Sequence, residues 1–426
     1  MRSLGENLRT FPYDIVETVL GNGLRVAVVR TDAPGLAAHY VVVRTGSRNE
    51  VEPGLTGFAH FFEHMMFRGT PRYSPEAYND VLKRLGADGN AFTTDDWTCY
   101  HVTASSSALD TVMDLESDRF MNLAYEVEAF QKEARAVLGE YNKNYSIPIN
   151  ALLEKLQDTA YVAHTYKHTT MGFLRDIETM PQQYDYSLRF FQRWYRPDNA
   201  ALVVVGDVDP EAAFALARRR WEAWRPGAAT LVTPVEPPQD AERIAHVPWS
   251  TPTLPLVALA FHAPAFDPED VRGRALDVLA QAEFAPTGRT YNDLVLDKQW
   301  VDWMWAGVED HRDPTLFLLV ARVKETERVG DVRAALQSAL ARAGSEALSG
   351  DRLSAVTSRL RYAFLGGLQT PDQVAMAVSN ALQLTGGTTA IDASYRTLAR
   401  VSAEDVMTTA SAVFGERNRT VVTLTP

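Results

Sequence analysis

The sequence predicts an α+β fold built as two similar halves in tandem, and three observations carry that expectation. Short valine-rich runs bounded by glycine and asparagine open the chain, and apolar spacing of helical period takes over after Gly46. Between Arg225 and Pro248 lie five prolines and few periodic apolar positions, which is how a linker between packed units reads. The segment before it, WYRPDNAALVVVGDV (Trp194 to Val208), matches the end of the chain, VFGERNRTVVTLTP (Val413 to Pro426), in having an arginine, an asparagine and then a valine-rich strand. The expected division is an N-terminal half over 1–225, a linker over 226–247 and a C-terminal half over 248–426.

Strands are expected at Ile15 to Leu20, Leu24 to Arg30 and Ala38 to Arg44, broken by Gly21-Asn22-Gly23 and by Asp32, Pro34 and Gly35. Thr56 to Arg68 (TGFAHFFEHMMFR) has the apolar density of a partly buried helix that ends at Gly69. A second helix starts at Ser74-Pro75-Glu76, with a capping serine and proline at the first helical position, and stops at Gly86. Asn90 to Ala104, rich in β-branched and aromatic residues, reads as one strand. Helical patterns follow through Asn122 and from Val127 to about Asn144.

The 426 residues are 46% hydrophobic and 23% charged, enough to bury more than one core. A net charge of −12 with scattered Lys and Arg offers no basic surface for a phosphate backbone, so nucleic acid is not an expected partner. Cys99 is the only cysteine, which excludes an internal disulfide and a multi-cysteine zinc site. No apolar h-region follows Arg2 and no run approaches the roughly 20 apolar residues of a membrane span. The chain reads as soluble, with bacterial-type cytoplasm and periplasm both open.

The chemistry concentrates in H-F-F-E-H. His60 and His64 are one helical turn apart and project from one face, where both imidazoles can bind one ion, and Glu63 lies beside them as a base. A catalytic zinc site keeps three protein ligands and one open position, so a third ligand is needed. Glu140, on a separate predicted helix, can supply it. Glu133 lies two turns earlier on the same face and can orient a ligand imidazole from behind. The carboxylate clusters of two-metal nucleases and phosphatases are missing.

With these residues the sequence resembles the pitrilysin/insulysin family of zinc peptidases, whose motif reverses the H-E-x-x-H order. The family pattern places a glutamate about 76 residues beyond the second histidine, and Glu140 minus His64 is 76. Other matching blocks are LGNGLRVAVV (Leu20 to Val29), GSRNE (Gly46 to Glu50), GFAHFFEHMMFRGT (Gly57 to Thr70), GADGNAFTTDDWTCY (Gly86 to Tyr100) and AYVAHTYKHTTMG (Ala160 to Gly172).

The resemblance implies two α/β sandwich halves, each a mostly antiparallel sheet with helices on one face, together forming half of a clamshell. It implies one Zn²⁺ per chain on His60, His64 and Glu140, Glu63 as catalytic base, and Glu133 supporting the ligands. It also implies a peptide substrate held as an added strand by Asn90, Ala91, Phe92 and Thr93. The chain length is similar to the short branch that contains the mitochondrial processing peptidase, whose members close the chamber by dimerising. One departure concerns an arginine and a tyrosine that active members carry in L-R-E-K-R-G-L-A-Y. The corresponding stretch, LVLDKQWVDWMW (Leu294 to Trp305), places Gln299 and Trp303 there. The expectation is therefore the zinc subunit of a heterodimer, degrading unfolded peptides, whose related partner lacks the metal motif and donates the pair. Leader-peptide processing, a homodimeric peptidase and, last, a non-catalytic scaffold are the alternatives.

Overall fold

The structure, a computed structural model, describes residues 10–228 and 231–426. The first sheet is built from β1 (Ile15–Val19), β2 (Arg25–Arg30), β3 (Leu36–Val43), β4 (Asp88–Thr93), β5 (Thr98–Ser105) and β6 (Ala200–Gly206), in the order β1-β2-β6-β3-β5-β4. β2 and β6 are parallel and the remaining pairs antiparallel. The second sheet, of β7 (Arg243–Pro248), β8 (Leu256–Ala263), β9 (Val301–Val308), β10 (Thr315–Val323) and β11 (Arg419–Thr425), has the order β7-β11-β8-β10-β9. It repeats the first from β2 onward: one parallel pair, then three antiparallel ones.

The repeated sequence ending has a physical basis. Asn199 Nδ2 donates to the Trp194 carbonyl at 2.9 Å, closing the helix Tyr184–Trp194 before β6, and also reaches Thr45 Oγ1 beyond β3. Asn418 Nδ2 donates to the Val413 carbonyl at 2.8 Å, closing the helix Ala403–Val413 before β11, and also reaches the His262 carbonyl in β8. Each asparagine ties a helix end to the strand beside the one it precedes.

Two features lie elsewhere than the sequence suggests. Asn90 to Ala104 is a hairpin, because the Thr94 hydroxyl accepts from the Asp96 and Trp97 amides and turns the chain between β4 and β5. β7 lies inside the stretch read as linker. It pairs with one neighbour, buries alternate residues partially and ends on a proline, so it lacks the apolar run that marks an inner strand.

Each sheet carries its own half's helices on one face. Its other face takes a helix from the other half. Helix Pro148–Ala160 buries Ala151, Leu152 and Leu156 against Val247, Leu256, Ala258 and Val422 of the second sheet. Helix Pro371–Thr385 buries Val374, Ala375 and Val378 against Ala38, Tyr40, Val42 and Val203 of the first. Proline at the first helical position starts both, where its missing N–H costs nothing.

The two hairpin turns, β4–β5 and β9–β10, meet at a polar junction. Asp96 accepts from Tyr166 Oη at 2.7 Å, His311 Nδ1 at 3.2 Å and the Arg312 amide at 2.9 Å, while Asp313 binds Arg48 and His164. Burial alone would lower the His311 pKa, but its hydrogen bonds to Asp96 and Glu309 outweigh that and push it up to about 10. Among the described residues no helix is long and apolar enough to cross a membrane.

Leu152 is fully buried on the opposite half's sheet, so Leu152→Ala should cost about 2–5 kcal/mol. Urea unfolding followed by fluorescence and circular dichroism should show one shared transition; two transitions, of which one moves, would contradict the coupling of the halves. The raised His311 pKa also sets a pH dependence. Its stabilisation is complete below the unfolded histidine value and is lost as pH rises through about 10, because only the folded state keeps the proton between them. Stability should fall from pH 7 to pH 10, and His311→Gln should flatten that fall.

Candidate metal centre

Helix Phe58–Met65 buries Phe58, Phe61, Phe62 and Met65 in the first core, which leaves His60, Glu63 and His64 along its remaining surface. Its start has no capping side chain of its own. The buried Glu50 supplies one from outside: its carboxylate accepts from the Gly57 and Ala59 amides, both at 2.7 Å. Burial pushes the Glu50 pKa up to about 8 against those two bonds. Gly57 has φ 89°, and a Cβ on Gly172 would stand 2.7 Å from the Gly57 nitrogen, so the 160–172 loop locks this helix end by backbone contact.

Helix Val127–Tyr145 packs across it through Phe130, whose ring centre is 5.1 Å from that of Phe61, and through Ala134 and Val137. This brings Glu133 and Glu140 over the histidines. The Nε2 atoms of His60 and His64 are 3.2 Å apart, and Glu140 Oε2 is 3.7 Å from the first and 3.2 Å from the second. A tetrahedral ion with bonds of about 2.0–2.2 Å has ligand edges of about 3.3–3.6 Å, so the triangle fits zinc to within a few tenths of an ångström.

The hydrogen-bond chemistry fits as well. His64 Nδ1 lies 2.9 Å from Glu133 Oε1, and with its proton there, Nε2 is a bare lone pair facing a second imidazole nitrogen and a carboxylate oxygen. With the proton of each imidazole on Nδ1, three acceptors converge on one point, an arrangement that suits a cation. Burial and the neighbouring His64 lower the His60 pKa to about 4, which keeps it in the neutral, ligating form. Burial raises the Glu133 carboxyl, but its bonds to His64 and Arg68 outweigh it and hold it ionised below its ordinary value.

Glu63 stands outside this triangle. Its Oε2 accepts from Thr93 Oγ1 at 2.8 Å, and burial raises its pKa. Thr93 ends β4, the open edge of the first sheet. Because the Thr94 amide bonds the Trp97 carbonyl, the hydrogen-bonded pairs of this hairpin fall at Phe92 with Cys99 and Asn90 with His101. The peptide groups of Gly89, Ala91 and Thr93 therefore point to the open edge, while those of Asn90 and Phe92 are engaged with β5. The Asn90 side chain is exposed, and the Phe92 ring packs on Trp97 at 5.0 Å.

Thus His60, His64 and Glu140 come together with Glu133 behind them and Glu63 alongside. Gln299 and Trp303 lie in the second half: Gln299 is exposed, with φ 53°, and Trp303 lies on β9 in a cavity of about 410 Å³ with Trp305, Tyr161 and Tyr166. Glu50 has no role in the sequence reading, because Thr56 stands at the expected helix start, whereas the observed cap position is Gly57, which has no side chain to cap with. Arg68, on the chain just beyond the motif helix, was also missed, being one more surface cation in the sequence.

Residues 25–173 match the profile of the family described as insulinase (peptidase family M16), and residues 183–360 match that of the peptidase M16 inactive domain. The chain is 31% identical over 310 residues to the zinc protease PqqE of Helicobacter pylori, covering 71% of this chain and 68% of that protein. It is 28% identical over 214 residues to the probable mitochondrial-processing peptidase subunit beta of Schizosaccharomyces pombe, covering 50% of this chain and 46% of that protein. With the uncharacterized zinc protease YmxG of Bacillus subtilis the identity is 28% over 188 residues, 44% of this chain and 45% of that one. These last two matches span less than half of the relatives' length. Among solved structures, a protease from Helicobacter pylori superposes with a TM-score of 0.90 at 26% identity, covering 97% of this chain and 100% of that one. A peptidase M16 inactive domain from Pseudomonas fluorescens, at 15% identity and a TM-score of 0.86, shares the fold, covering 97% of this chain and 98% of that one.

Glu140→Gln removes the charged member of the triangle and should abolish retention of zinc through dialysis. Glu133→Gln should leave all three ligands and weaken affinity about 10–100-fold. Metal analysis after dialysis against a graded chelator series measures both; unchanged zinc in Glu140→Gln would remove that residue from the ligand set.

Proposed function

This chain belongs to the insulinase family of peptidases, peptidase family M16, and on that basis we propose that it is a zinc-dependent endopeptidase with Glu63 as general base. The observation that carries the reading is the triangle of His60, His64 and Glu140 with an uncoordinated carboxylate beside it. One zinc per chain, held by those three residues, would supply Lewis acidity toward water and the scissile carbonyl. Glu63 takes the proton of the attacking water and delivers it to the leaving amine. Glu133 keeps the proton on His64 Nδ1, so that Nε2 stays available as a ligand.

The substrate is an unfolded peptide. The outward peptide groups of Ala91 on the edge strand β4 favour pairing with an extended backbone, which reads main chain more than side chains, and Asn90 borders the same groove. An enclosed chamber would be completed by a second chain. The absence of arginine and tyrosine at Gln299 and Trp303 favours a heterodimer in which a related, metal-free partner donates them. The likeness to a processing peptidase beta subunit favours leader removal as the second reading.

Glu63→Gln should retain one zinc per chain and lose activity by about 100-fold or more, read as hydrolysis of an unstructured fluorogenic peptide beside metal analysis. Full activity in that variant would exclude Glu63 as the base. Wild-type chain should hydrolyse the peptide after mixing with a related chain that carries the Arg/Tyr pair. Equal activity alone would replace the heterodimer by a self-sufficient enzyme.

A further inference from the structure

The open edge of β4 and the base meet at one residue. Thr93 closes β4, and its hydroxyl donates to Glu63 Oε2 at 2.8 Å. Its cross-strand partner Thr98 donates its own hydroxyl to the Thr45 carbonyl at 2.9 Å and stands 3.5 Å from Thr93 Oγ1, so the Thr93 proton is free for Glu63. The pair 93/98 is a non-hydrogen-bonded one, which turns the Thr93 peptide N–H to the open edge of β4.

Glu63 has three rotatable bonds and lies one residue from the ligand His64. A carboxylate free to swing at that distance can compete for the metal's open position instead of facing water. The hydroxyl of Thr93 is the side-chain donor that opposes this. The hairpin bearing Thr93 is itself rigid: Gly46 lies against Thr94 and Asp95 so closely that a Cβ would stand 2.2 Å from the Thr94 carbonyl oxygen, and Asp96 is fixed at the junction between halves.

We propose that Thr93 is a positioning residue: it holds the Glu63 carboxylate off the metal ligands and couples the base to the strand on which substrate docks. This rests on the reading of Glu63 as general base. It differs from a substrate-binding role, because the hydroxyl of Thr93 is committed to Glu63 and not to a peptide.

The test compares Thr93→Val and Thr93→Ser with wild type and with Glu63→Gln, measuring kcat, KM and zinc per chain in the active assembly. Thr93→Val should lower kcat about 10-fold or more with KM within about 3-fold and one zinc retained, and Thr93→Ser should recover at least about a third of kcat. Wild-type kcat in Thr93→Val, or a loss carried by KM or by zinc content, overturns the proposal. If Thr93→Val does not fold, Thr93→Ala removes the same donor and is judged by the same criteria. An active Glu63→Gln would instead overturn the underlying base assignment, independently of what Thr93 does.

Discussion

The exchange of helices between the two halves is the constraint on which the rest of the molecule depends. Each sheet has two apolar faces and its own half covers one. Leaving the other in water would expose the buried valines and alanines of β2, β3 and β6, or of β8 and β11, at about 25 cal/mol per Å². The helices Pro148–Ala160 and Pro371–Thr385 close these faces reciprocally. The metal centre inherits this arrangement: only Ser146 and Ile147 separate Pro148–Ala160 from the helix that carries Glu133 and Glu140. Docking the first on the second sheet fixes the end of the other, and so places Glu140 over two histidines of a distant segment.

Charge inside this structure is tolerated because it is paired. A buried carboxylate without donors would protonate or unfold its surroundings. Glu133 has His64 and Arg68, and Asp96 has a phenol, an imidazole and an amide, whereas Glu50, with two helix amides and no cation, has its pKa pushed up to about 8. These groups each tie two or more chain segments together around the motif helix or the junction beside β4. The cluster is thereby held from behind while β4 and the His60, His64 and Glu140 triangle lie on its open side.

The two halves share an architecture but differ at their open edges. β4 and β9 occupy the same edge of equivalent sheets, yet β4 ends in a threonine bound to Glu63, whereas β9 exposes Trp303 and Trp305. The half with the H-F-F-E-H helix carries the cluster of His60, His64 and Glu140; the other contributes the helix that covers the first sheet and the turn that binds Asp96.

Much of this was legible in the sequence because it is local. Ser74 with Pro75 starts a helix and Gly86, at φ 61°, stops it; His60 and His64 share a face because four residues make about one turn; the two closing asparagines recur because the same helix-to-strand step needs the same cap. The spacing from His64 to Glu140 and the family blocks pointed to Glu140 as the third member of the cluster. What remained hidden depends on partners far apart in the chain. The Asp96 turn, the Glu50 cap, the membership of β7 in the second sheet, and the bond that draws Thr93 to Glu63 have no signature in a neighbouring residue. The sequence by itself determined which side chains could bind a metal; only tertiary packing decided that they converge to within bonding distance of one ion. Convergence requires two helices to be buried against each other, and burial is a property of the whole fold.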